Sequence, residues 1–262
     1  MLSICKEGER LDEVNDRLSL IQKPEGLTFG TDALLLAAYI RKTGGQALEL
    51  GSGSGIISLL LAAREKFSHI TAAEVQPDYA DLTARNIVLN RLENKITALC
   101  ADIRNTSLLG VSGGYDAVFT NPPYMPLHTG KTCEKEGKNA ARHEVFGTIS
   151  DFAATAARML RYGGTFYAVY HPKRLCDLLD ACRREKLEPK YLTAVSARRG
   201  LAPAMLLLAA RLGGKPGLCF TKPLILQEDD GKNTADFDFI LQHGNMPVGF
   251  AGNGKEKCHA KQ

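Results

Sequence analysis

The sequence predicts an α/β fold: a seven-stranded, mostly parallel sheet with helices on both faces, finished by an antiparallel strand pair near the C-terminus. Three observations predict it. From Gln46 to Tyr170, short apolar runs alternate with longer stretches of helical spacing across turns rich in Gly, Pro or Asp, the pattern of parallel strands joined by crossover helices. The length of 262 residues allows one large α/β domain or two small ones. A composition of 44% hydrophobic and 24% charged residues is that of an ordinary globular chain and excludes a disordered, collagen-like or coiled-coil protein.

Taken in order, Thr31 or Asp32 is placed to cap a helix through ALLLAAYIRK that Gly44-Gly45 would end, so the N-terminal part reads as a short helical extension without a domain of its own. Strands follow at 47–50, 70–74, 96–100, 116–120 and 165–170, each bounded by turn residues. Helices are expected at about 55–66, 78–91, 150–162 and 171–185, with Pro77 in a first turn, Ser150 as an N-cap and Gly163-Gly164 as a stop. Two last strands, at about 190–197 and 204–212, are joined by the short basic turn 197–203 and so run antiparallel. Residues 1–242 read as one domain, and the polar, glycine-rich stretch 243–262 as a flexible tail.

No apolar run approaches the ~18 residues that cross a bilayer, and the first ten residues turn charged before an apolar signal core develops, so a cytoplasmic protein is expected. The seven cysteines form no CxxC pair and no paired Cys/His spacing, which predicts reduced thiols and no metal site.

The first strand runs into Glu49-Leu50-Gly51-Ser52-Gly53-Ser54-Gly55. Glycines at alternate positions let the backbone turn sharply and approach a ligand that a Cβ would block. A dinucleotide fingerprint would end G-x-x-G; here the spacing is G-x-G behind an acid, which suits the cationic sulphonium of S-adenosyl-L-methionine better than a pyrophosphate. Glu74 ends the next strand, where a carboxylate accepts both ribose hydroxyls, and Val75 follows it to lie on the adenine face. Asp102, after the third strand, is placed to accept from the adenine amine, or is simply a solvated loop-capping acid. Ser52 lies within the same loop as the three glycines.

After the fourth strand comes Asn121-Pro122-Pro123-Tyr124. Two prolines stiffen the corner and remove two N–H donors, leaving the Asn121 side-chain oxygen and the Pro122 carbonyl as paired acceptors for one planar NH2 group. Drawing both N–H bonds toward these oxygens favours a pyramidal nitrogen whose lone pair points at an electrophilic methyl. Orientation then supplies most of the catalysis and no strong base is required. Tyr124 is expected to stack on a flipped base; alternatively the tetrapeptide is a rigid turn with a core tyrosine.

The strand layout, the glycine loop and the Asn-Pro-Pro-Tyr corner together resemble the amino-methyltransferases of the class I (Rossmann-like) methyltransferase fold. More narrowly, Phe29-Gly30-Thr31-Asp32-Ala33, Ala141-Arg142-His143-Glu144 and Pro223-Leu224-Ile225-Leu226 resemble the bacterial tRNA-Val adenine-N6-methyltransferase family over about residues 10–241. The resemblance implies an enzyme that methylates the N6 amine of the adenine beside the anticodon, releasing S-adenosyl-L-homocysteine. It also implies that Phe29 and Thr31 close over the methionine moiety above Gly51, Gly53 and Gly55, and that Arg142 meets the substrate; a charged helix start explains Arg142-His143-Glu144 equally well.

Residues 171–222 carry eleven Lys/Arg and four Asp/Glu, so this segment holds +7 of a net +4 while the remainder sums to −3. Such asymmetry supplies phosphate contacts to tRNA or another structured RNA, with Arg183, Arg184, Arg198 and Arg199 as the candidates, although solvated surface charge explains them almost as well. The tetrapeptide also fits glutamine-N5 methylation of a release factor or guanine-N2 methylation of ribosomal RNA. The first rival usually adds a helical domain before the core and the second often a duplicated domain; neither is expected here. A non-catalytic RNA-binding scaffold would not need the intact glycine loop or Asn121. A monomer or a weak dimer is expected, without membrane partners.

Overall fold

The computed structural model describes residues 4–23, 30–122 and 147–250. The main sheet contains β3 (Gln46–Leu50), β4 (His69–Glu74), β5 (Ile96–Cys100), β6 (Tyr115–Thr120), β7 (Leu160–Tyr170), β8 (Leu187–Arg198), β9 (Met205–Leu212), and the short β10 (Cys219–Phe220) and β11 (Leu224–Gln227). Its order is β10-β8-β9-β7-β6-β3-β4-β5, with β11 also on β8. β9 is antiparallel to both neighbours and every other pairing is parallel. The seven expected strands are all present; the Pro223-Leu224-Ile225-Leu226 stretch supplies β11, and β10 precedes it.

Side chains alternate between two cores, as the two-residue period of a strand requires. Ala117 and Phe119 of β6 face α1 (Thr31–Tyr39) and α2 (Ile56–Ala63), on the side where α3 (Pro77–Leu89) and α6 (Ala235–His243) also contribute. Leu48, Leu50 and Val118 face α4 (Ile149–Met159) and α5 (Leu175–Arg184).

Five boundaries differ from expectation. The N-terminal extension is not only helical: β1 (Arg10–Asn15) and β2 (Leu18–Gln22) form a hairpin, turned where Asn15 Oδ1 accepts from the Arg17 and Leu18 N–H groups at 2.9 and 3.1 Å. The free edge of β2 is covered by amides rather than by a strand. Asn86 on α3 and Asn90, which caps the helix one turn later, pair with the backbone of Ile21 and Ser19. At the end of α1, Gly44-Gly45 is not the stop; Ile40 turns extended and the buried Lys66 ammonium donates to the carbonyls of Ala37, Ala38 and Ile40 at 2.8, 3.2 and 2.7 Å. The cap of α4 is Thr148 rather than Ser150, in a reciprocal capping box with Asp151. Gly163-Gly164 does not end α4 either: the helix stops at Met159, and both glycines lie inside β7, where the pairing with β6 shifts register and Gly163 takes φ +78°. Finally, the packed structure continues past residue 242. Helix α6 ends at His243 on Gly244 in the left-handed region, and Met246 and Phe250 are buried in the core, so the tail boundary falls later than the composition suggested.

Candidate active site

Ligands of open α/β sheets bind beyond the carboxyl ends of the strands, and the glycine loop occupies that end of β3. Gly51, Gly53 and Gly55 have φ of +74°, +56° and +80°, a conformation L side chains rarely adopt. A Cβ at Gly55 would also stand 2.8 Å from Thr83 Cγ2. The loop is tied on three sides. Ala73 O of β4 accepts from the Gly51 and Ser52 N–H groups at 2.9 and 3.0 Å. Thr83 Oγ1 donates to Gly53 O at 2.8 Å, and Asn86 Nδ2 donates to Ser54 O at 2.9 Å. Ser52 is buried with its hydroxyl 3.4 Å from that of Thr83. Thr83 and Asn86 are site-building residues that the sequence reading missed, because nothing local to α3 announces a partner thirty residues away.

The three acids separate in role. Glu74 ends β4, buried, with Oε2 accepting from Gly53 N at 2.9 Å and Oε1 from Gln76 N at 3.0 Å. A carboxylate has about four acceptor sites, so capacity for hydroxyl donors remains beside the loop, and the half-buried Val75 follows it. Asp102 lies beyond β5, its carboxylate forked by Arg104 Nε and Nη2 at 2.9 and 2.6 Å, which holds its pKa below the usual carboxylate range.

Glu49 is turned away from the open side of the loop. It points into the face under α2, is buried, and its Oε2 accepts from both the Ser58 N–H at 3.2 Å and the Ser58 hydroxyl. Gly55, the N-cap of α2, has no side chain to satisfy the first-turn donors, and Glu49 does so from the strand instead. Burial pushes its carboxyl up to about 8, with the nearby Glu74 adding to the rise after the Ser58 bonds oppose it.

β6 lies next to β3, and Thr120 Oγ1 donates to Leu50 O at 2.8 Å, joining the start of the Asn-Pro corner to the start of the glycine loop. Asn121 follows directly. Its Nδ2 donates to Asp32 Oδ2, on the first turn of α1, at 2.8 Å. Its Oδ1 is buried and has no hydrogen-bond partner among the described residues. An unpartnered buried amide oxygen is costly, on the order of 1–3 kcal/mol, so such a group marks a place where a donor is expected to arrive. Pro122 beside it is buried. Asp32 was read only as a possible helix cap; its 89-residue separation from Asn121 gave no local signal of this contact.

Thr31 is exposed at the start of α1, next to Asp32. Phe29, Pro123, Tyr124 and Arg142 lie outside the described residues. Arg198 and Arg199 stand at the carboxyl end of β8, which runs parallel to β7 through two antiparallel pairings, and therefore on the loop's edge of the sheet. Arg183 and Arg184 end α5, just before β8 begins, and so fall at the opposite edge; Arg184 pairs with Asp180 at 2.8 Å and Arg183 lies 3.8 Å from Glu188. No group of metal-ligating side chains occurs among the described residues, and no helix among them is long and apolar enough to cross a membrane.

The family model described as a methyltransferase small domain matches residues 25–180. A Bacteroides fragilis protein named tRNA1(Val) (adenine(37)-N6)-methyltransferase is 28% identical over 181 residues, covering 69% of this chain and 75% of that protein. A protein of the same name from Enterobacter sp. strain 638 is 27% identical, covering 81% and 86%. Among solved structures, one titled a predicted O-methyltransferase from Agrobacterium tumefaciens superimposes with a TM-score of 0.68 at 24% identity, covering 82% of this chain and 97% of that one. TYW2 from M. jannaschii, solved with AdoMet, gives a TM-score of 0.54 at 15% identity over 79% and 86%. The sheet order and these superpositions agree on the fold.

Proposed function

Since the chain belongs to the methyltransferase small domain family, we propose that it transfers the methyl group of S-adenosylmethionine to the exocyclic N6 amine of an adenine in tRNA, next to the anticodon of a tRNA-Val-like substrate. The observation that carries the reading is the unpartnered, buried Oδ1 of Asn121, joined through Thr120 to the edge of the glycine loop. The substrate class is supported by relatives named for that reaction over most of their length.

The residues present fit the methyl donor. Gly51, Gly53 and Gly55 take positive φ values that only glycine adopts readily, so no side chains fill the bend that they form with the buried Ser52. Glu74 has acceptor capacity left for ribose hydroxyls, Val75 is at hand for the adenine face, and Asp102 for the adenine amine. When bound, the donor supplies a methyl carbon activated by a sulphonium. The chain's own part is to hold the acceptor. Asn121 Oδ1 and the Pro122 carbonyl accept the two N–H bonds of the adenine amine, turning its lone pair toward that carbon. The donor would give up its methyl carbon to that lone pair and leave as S-adenosylhomocysteine, with the surplus N–H proton passing to water. Tyr124 stacks on the base, Phe29 and Thr31 border the methionine end, and Arg142, Arg198 and Arg199 contact the RNA.

The test is incubation of the protein with bulk tRNA and methyl-labelled S-adenosylmethionine, followed by nucleoside analysis. Label in N6-methyladenosine is the expected result. Label in N2-methylguanosine, in a co-incubated release factor, or in no product overturns the reading.

A further inference from the structure

We infer that Asp32 is the positioning residue of the transfer step: it grips the NH2 end of the Asn121 amide and thereby fixes Oδ1 as the atom that meets the incoming amine. The inference rests on the amino-methyl transfer proposed above and assigns a role to a residue outside the loop and the corner.

The geometry makes the orientation one-way. An amide side chain is nearly symmetric in shape, and turning it over exchanges an acceptor for a donor. A carboxylate oxygen has no hydrogen to give, so at 2.8 Å from Asp32 Oδ2 only the NH2 end of Asn121 is tolerated. The oxygen end is thereby forced to the other side, where it is buried without a partner. A turned-over amide would point N–H donors at an amine whose own N–H bonds need acceptors, and the substrate would meet repulsion instead of a grip.

The first turn of α1 is shaped for this contact. Gly30, the N-cap, has no side chain with which to cap the helix, and a Cβ there would stand 2.6 Å from Asp32 Oδ1. Among the described residues the side-chain hydrogen bond of Asp32 goes to Asn121 rather than to its own helix. An ordinary first-turn acid would be exchangeable for other helix-starting residues, whereas this one is committed to an atom 89 positions away.

The experiment is an exchange of the pair, read by kcat, by KM for tRNA, and by calorimetric Kd for S-adenosylhomocysteine. In Asp32→Asn the amide at position 32 can donate as well as accept, so it no longer holds Asn121 to one orientation; kcat falls about 10-fold while KM and Kd stay within about twofold. Asn121→Asp alone sets two carboxylates face to face and also loses activity. In the double exchange, Asp32→Asn with Asn121→Asp, the amide at position 32 donates to one oxygen of the carboxylate at 121, leaving its second oxygen free to accept. Its kcat is expected to exceed both single variants by about tenfold, a barrier about 1.4 kcal/mol below that of either single. A residue that merely supports α1 would give additive losses, and a double variant no better than the worse single overturns the inference. So does an Asp32→Ala enzyme with wild-type kcat.

A second readout needs no turnover. The side-chain NH2 signals of Asn121 in an amide-selective NMR spectrum, identified by their loss in Asn121→Ala, are expected to include one proton protected from solvent exchange. That protection disappears in Asp32→Ala. Unprotected signals in the wild type overturn the inference whatever the reaction. A wild-type enzyme without N6-methyladenosine product overturns the functional reading itself, whereas an active wild type with an indifferent Asp32 overturns only this step.

Discussion

The glycine loop and the Asn-Pro corner stand at the ends of adjacent strands, yet they are finished in opposite ways. In the loop, backbone groups of Gly51, Ser52, Gly53, Ser54 and Gly55 are bonded to Ala73, Glu74, Thr83, Asn86 and Ser52. In the corner, Asn121 is held by one end and left open at the other. The loop is saturated from two elements, β4 and α3, whereas the corner keeps one buried acceptor unmet among the described residues. Local bonding is thus distributed by what each half does, with rigidity on one side and unmet polarity on the other.

The sharpest way to break this contrast is to remove the open acceptor. Asn121→Ala is expected to lower kcat for methyl transfer by about 10²- to 10³-fold, the range for losing one preorganised polar group in a catalytic site. Calorimetry with S-adenosylhomocysteine is expected to show Kd changed less than about threefold, because the loop bonds do not involve Asn121. Equal losses in both would mean that the two halves are one unit.

The converse variant attacks the saturated half. Asn86→Ala deletes bonds to the Ile21 N–H at 2.7 Å, the Ile21 carbonyl at 3.1 Å and the Ser54 carbonyl at 2.9 Å. At about 1 kcal/mol per bond, with buried groups left unpaired, denaturant unfolding should report a loss of about 2–4 kcal/mol. Cofactor affinity is expected to fall with it, since the loop and β2 lose a common tether.

These two residues also mark what the sequence made legible. Asn121 was readable because its chemistry is written in its neighbours: a strand, two prolines, an aromatic residue. The glycine loop was readable for the same reason, and so was the sheet, whose alternation is a local property of each run. Asn86, Asp32 and Lys66 were not, since each acts through a partner on another element, and helical periodicity records only that such a residue faces inward. The orientation of Glu49 escaped the sequence on this account. Its place before the glycines suggested a ligand, but the pleat of β3 sends its side chain to the α2 face, where a helix start lacks a capping side chain. The β1–β2 hairpin was missed because its strands present a mixed burial pattern to a partner helix.

Glu49 sharpens the contrast through pH. Its carboxyl is pushed up to about 8 in the fold by burial, while in the unfolded chain it titrates near the ordinary value of about 4.3. Between these values the folded state holds a proton that the unfolded state has released, so this group makes stability fall as pH rises, by at most ~1.4 kcal/mol per unit. Glu49→Gln is expected to flatten that dependence, gaining about 1–3 kcal/mol on the wild type at pH 7.5 compared with pH 5.5 in urea titrations. Cofactor Kd should move less than about twofold. A large loss of cofactor binding would restore Glu49 to the site.

The smallest expected effect tests whether the contrast extends to the two edges of the sheet. Arg198 and Arg199 lie at the carboxyl edge with the loop and the corner, while Arg183 and Arg184 lie at the far edge, beside Asp180 and Glu188. Both pairs are exposed and equally basic, so composition alone treats them alike. An RNA whose adenine reaches Asn121 brings its flanking phosphates to the near edge first. Arg198→Glu with Arg199→Glu should therefore raise KM for tRNA about 5- to 20-fold and reduce the salt dependence of binding by about two phosphate contacts. Arg183→Glu with Arg184→Glu should change KM less than about twofold under the same salt, because no phosphate of a bound anticodon arm is required at that end. Equal effects from the two pairs would mean that the RNA wraps around the sheet, and position relative to the site would then no longer predict which charges matter.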